Sequence, residues 1–120
     1  MIKLYLVGVI LIGSVLNSTA QTPEKNKEYC KTIIDRKQVD RVKSVYQIPV
    51  LSATEKEELK TFLYQTKSIY DIEFVSSAVE TIVIYHISDI TIVDLKHLLV
   101  QKNYYIRLIT NQILNKIEKQ

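Results

Sequence analysis

Residues 69–87 read IYDIEFVSSAVETIVIYHI, and this stretch decides the fold. Ile72 and Phe74 alternate with Asp71 and Glu73, the period of two that puts apolar side chains on one face of a strand and acids on the other. Ser76-Ser77-Ala78 supplies a turn, and Val79 to Ile87 returns as an antiparallel partner rich in β-branched and aromatic residues. A β-hairpin is expected. Within its second strand we read Thr81, Val83 and Tyr85 toward the core, which leaves Ile82 and Ile84 on the outer face, with Tyr105 and Ile109 of a later strand beside them as a possible interaction face.

Working outward, each side of the hairpin carries a helix and then a strand. Ser52 opens a helix to about Thr66, with Leu59, Phe62 and Leu63 as its buried stripe and Lys56, Glu57, Lys60 and Thr61 toward water. Thr91 and Asp94 form a capping pattern ahead of a helix with Ile92, Leu95, Leu98 and Leu99 inward, and Asn103 can take the left-handed conformation that ends it. VKSVYQIPV, Val42 to Val50, reads as a strand ending near Pro49, and YYIRLI, Tyr104 to Ile109, as the last strand. Thr22-Pro23-Glu24 starts a further helix to about Lys37, because Tyr29 with Ile33 and Cys30 with Ile34 lie four apart. Ile109, Ile113 and Ile117 repeat that spacing and predict a short C-terminal helix. Between these terminal helices the order is β-α-β-β-α-β, which predicts an α+β, ferredoxin-like arrangement of two helices on a four-stranded antiparallel sheet.

The first twenty residues, MIKLYLVGVILIGSVLNSTA, combine Lys3, an apolar run and small residues at Ser18 and Ala20. That is the pattern of a signal peptide cut before Gln21, with a run shorter than the ~17 to 25 residues a bilayer span needs. The expected organisation is therefore a signal over 1–20, an N-terminal helical extension over 21–40, the α+β domain over 41–109 and a helix over 110–120. Export to a periplasm or the exterior follows, with no membrane attachment after cleavage. Removing Lys3 takes Lys plus Arg from 16 to 15 against 13 acids, a net charge of +2 with no basic stripe, which argues against a nucleic-acid partner. Cys30 is the sole cysteine, so no intrachain disulfide framework exists.

LKTFLYQTKSIYDIEF (Leu59–Phe74), TIVIY (Thr81–Tyr85) and ITIVDLKHLLVQKNYYI (Ile90–Ile106) resemble the heavy-metal-associated domains of copper chaperones and metal-pumping ATPases, over roughly Val45 to Ile106. Asn103-Tyr104 falls where that family usually has Gly-Tyr. The resemblance implies a Cys-x-x-Cys metal site ahead of the first domain helix. Its two positions here are Ser52 and Glu55, within VLSATEKEEL. Two thiolates would hold Cu(I), a soft ion, whereas Ser-x-x-Glu forms a capping box. The loop is expected to hold its own helix.

The remaining metal ligands are sparse. Cys30, His86 and His97 are the weak candidates, with His86 and His97 read as unrelated surface or edge residues and Cys30 as a small hydrophobe on a helix face. No nucleophile, base and orienting group can be assembled, so no enzyme and no cofactor are expected. These observations predict an exported, non-catalytic domain that works through contact with a ligand, another protein or a second copy of itself. The competing expectation is a copper- or zinc-binding accessory protein that uses other ligands.

Overall fold

The computed structural model describes residues 22–37 and 39–114. The expected signal peptide, its expected cleavage site and Ile117 lie outside them. Among the described residues three helices and four strands follow in the order α1 (Pro23–Lys37), β1 (Arg41–Gln47), α2 (Ala53–Tyr64), β2 (Ile69–Ser76), β3 (Glu80–Ile87), α3 (Ile92–Gln101) and β4 (Arg107–Ile113). The fold is α+β. All strand pairs are antiparallel in one sheet of order β2-β3-β1-β4, so β3 lies between β1 and β2, and β1 between β3 and β4.

Local chemistry accounts for where the helices begin. Ser52 Oγ accepts the Glu55 N–H at 3.1 Å while the Glu55 carboxylate accepts the Ser52 N–H at 2.8 Å, satisfying donors that a helix start leaves without partners. Thr91 and Asp94 form the same reciprocal pair at α3. At α1, Thr22 Oγ1 accepts the Lys25 N–H at 3.2 Å. Asn103, after α3, has φ 63°, the left-handed conformation its short amide tolerates.

The core lies between α2, α3 and one face of the sheet. Leu59 and Leu63 of α2 and Leu95 and Leu99 of α3 pack with Tyr46, Ile72, Ile82 and Ile84. Burial of each such aliphatic side chain favours folding by about 1.5 to 3 kcal/mol. Three sequence expectations need correction here. Ile82 and Ile84 are fully buried against the helices, the reverse of the face assigned to them. Register is the reason: Ile82 pairs with Phe74 and Ile84 with Ile72, and directly opposed residues share a face. Tyr105 likewise packs on the core, its ring 5.9 Å from that of Tyr46 in an edge contact.

The third correction concerns the end of the chain. β4 begins at Arg107 rather than Tyr104 and runs to Ile113, so Thr110 to Ile113 are strand where a helix was expected. Asn111 Nδ2 donates to Ser44 Oγ at 3.0 Å, tying that segment to β1. Ile109 sits at the register shift opposite Val45 and Tyr46 and is partly exposed. α1 packs mainly along edge strand β2 and the turn leading into it, with a smaller contact to β3. There Asn26 Nδ2 donates to the carbonyls of Tyr64, Thr66 and Ile69, and Cys30 Sγ approaches the carbonyl of Lys67 at 3.4 Å.

Candidate functional site

The expected metal loop is occupied by its own hydrogen bonds. Both polar side chains of Ser52 and Glu55 are engaged in the cap, and Val50 just before them is 80% exposed rather than folded over a ligand. Cys30, His86 and His97 are not brought together. Cys30 is buried on α1, and burial, with the negative charge of Asp89 second, pushes its thiol up to about 12, so it stays protonated at neutral pH. A protonated thiol is a poor metal ligand and a poor nucleophile. His97 is exposed on α3, where its positive form helps hold the Asp94 carboxyl below its usual range, after the larger effect of the Thr91 hydrogen bonds. Among the described residues no three His, Cys, Asp or Glu side chains are grouped to hold a metal ion.

His86 is not a surface residue. It is 1% exposed, on the helix-covered face of the central strand β3. Ser44 Oγ lies 2.8 Å from its Nε2, and its Nδ1 lies 3.0 Å from the carbonyl of Ile87. A carbonyl only accepts, so Nδ1 carries the proton and Nε2 accepts from the Ser44 hydroxyl. Burial holds the His86 pKa below its ordinary value, against the opposing Ile87 hydrogen bond and Asp89 charge. This is a closed polar chain from Asn111 through Ser44 to His86. With Ser44 fully buried, its hydroxyl is out of reach of a substrate.

Among the described residues an open groove of about 500 Å³ lies between α1 and the end of the sheet. Lys27, Cys30, Lys31 and Ile34 form one wall, at the spacings of three and four that define a single helix face. Tyr70, Asp71 and Tyr85 form the other, closed by Arg41 at the start of β1 and by Leu114. The two tyrosine rings stand 6.3 Å apart and tilted, a continuous aromatic floor. Tyr85 Oη donates to Glu73 at 3.2 Å, and Asp71 accepts the N–H of Ile72 at 2.9 Å. The lining thus carries three cationic side chains and one carboxylate already engaged by the backbone.

Sequence reasoning missed this groove because its residues come from five separate segments. One signal was present: Lys27, Lys31 and Ile34 share a helix face with Cys30. The anchor that sets α1 beside the sheet, Asn26, is polar and therefore invisible to an apolar stripe. Among the described residues no helix is long and apolar enough to cross a membrane. No protein-family model, curated protein or solved structure matches this chain.

Proposed function

We propose that this chain is an exported, non-catalytic binding domain of ferredoxin-like type, diverged from heavy-metal-associated domains, in which the metal loop has become a helix cap. The sheet order β2-β3-β1-β4, with each βαβ unit spanning one intervening strand, supports that type. The reciprocal Ser52–Glu55 cap is the observation that carries the functional part. Its two hydrogen-bonded oxygens belong to the residues that the resemblance aligns with two thiolates, and they suit the helix amides rather than a soft cation. Binding is then assigned to the groove beside α1, where cationic and aromatic side chains line about 500 Å³.

The test uses the purified exported protein. Mass spectrometry should place its N-terminus at Gln21, and Cu(I) competition against a chelator should give no tighter binding than a single thiol, in the native chain and in Cys30→Ala alike. Tight one-to-one copper or zinc binding would overturn the reading in favour of a metal-handling accessory protein.

A further inference from the structure

We propose that the groove between α1 and the sheet binds an amphipathic anion, with the acidic head against Lys27 and Lys31 and the apolar body on the tyrosine floor. The proposal rests on reading the domain as a binding module and supplies its ligand class. Volume comes first: about 500 Å³ lies within the ~300 to 1,000 Å³ of small-molecule sites. Shape and chemistry then divide the space. Tyr70 and Tyr85 give a flat aromatic base, and Ile34 and Leu114 give it apolar sides.

Lys27 and Lys31 are one turn apart and exposed, so their stems can lie along the groove while their ammonium groups stay at the wet rim. A head group with two or three oxygens, as in a carboxylate, sulfonate or phosphate, matches that pair. Arg41 adds a third positive charge to the lining. The single carboxylate, Asp71, is on the opposite wall, and its repulsion directs an acidic head toward α1. Cys30 adds apolar surface and no reaction, since its thiol stays protonated. A nucleic acid would need a basic track longer than this one cavity.

Fluorescence titration of the full exported chain with 11-(dansylamino)undecanoic acid tests the proposal, with the uncharged methyl ester of the same probe as the second arm. The acid should bind, and the ester should bind about tenfold more weakly, the ratio to which ~1.4 kcal/mol corresponds. Lys27→Ser with Lys31→Ser should weaken the acid by a similar factor and leave the ester unchanged. Asp71→Asn should tighten the acid severalfold. Circular dichroism confirms that each variant keeps its fold. The proposal fails if the acid does not bind, if acid and ester bind equally, or if the lysine variant binds the acid as tightly as the native chain. Failure in this titration with no metal bound leaves the binding-module reading standing, whereas stoichiometric Cu(I) removes both.

Discussion

The loop at residues 50–55 and the groove beside α1 both carry charged and polar side chains and behave oppositely. In the loop, a serine and a glutamate three apart satisfy each other's backbone and leave nothing to offer a ligand. In the groove, lysines from one helix face tyrosines from two strands across open space. Contiguity favours self-satisfaction, because short separations let polar groups find one another without tertiary structure. Convergence from distant segments leaves groups directed at a space that something else can fill.

The largest effect should come from removing what holds the groove open. Asn26→Ala strips a donor from three carbonyls at the α2–β2 turn. Denaturant unfolding should show a loss of roughly 2 to 3 kcal/mol, and α1 should lose protection from hydrogen exchange before the sheet does. A loss below about 0.5 kcal/mol would mean that the apolar contacts of α1 suffice without the amide.

Next in size is the closed chain inside the sheet, a buried counterpart of the loop. Ser44→Ala leaves the Nε2 of His86 and the Asn111 amide without their partner, at a cost of about 2 kcal/mol. The same site sets an acid limit. Burial holds the folded-state pKa of His86 below its unfolded value, so the unfolded chain takes up the proton first. The stabilising contribution is full above about pH 6.5 and is lost as pH falls from there toward the folded value. His86→Gln should flatten that slope in denaturant titrations.

Much of this architecture was legible. Two capped helices, the hairpin and the left-handed Asn103 follow from short-range chemistry, and the structure has them where the residues placed them. What failed depended on register and on polar groups turned inward. The strand TIVIYHI is almost uniformly apolar, so alternation could not choose its face. Pairing it with Ile72 and Phe74 across the 77–79 turn chooses it at once. In β1 the inward Ser44 hides the alternation that Val42, Tyr46 and, just past the strand, Ile48 otherwise show. The four-residue spacing of Ile109 and Ile113 imitated a helix, although an even spacing also keeps two strand residues on one face. The groove was illegible because no local pattern says which side of a sheet a flanking helix will take.

A smaller effect sharpens the loop side of the comparison. Ser52→Ala should cost about 1 kcal/mol and Glu55→Ala less, with the double variant costing less than their sum because the two bonds are reciprocal. Additive losses would mean that the two residues act independently. Ser52→Cys with Glu55→Cys should weaken the start of α2 and create Cu(I) affinity at a helix N-terminus, where thiolates are favoured. A folded double variant that ignores Cu(I) would break the resemblance to metal-binding domains.

The most direct test of the contrast between loop and groove is a two-dimensional amide NMR titration of the purified protein with 11-(dansylamino)undecanoic acid. The account predicts shifts gathered at residues 27–34, at Tyr70 and Asp71 and at Tyr85, with residues 50–56 unmoved. Shifts gathered at residues 50–56, or none at the groove at saturating probe, would contradict it.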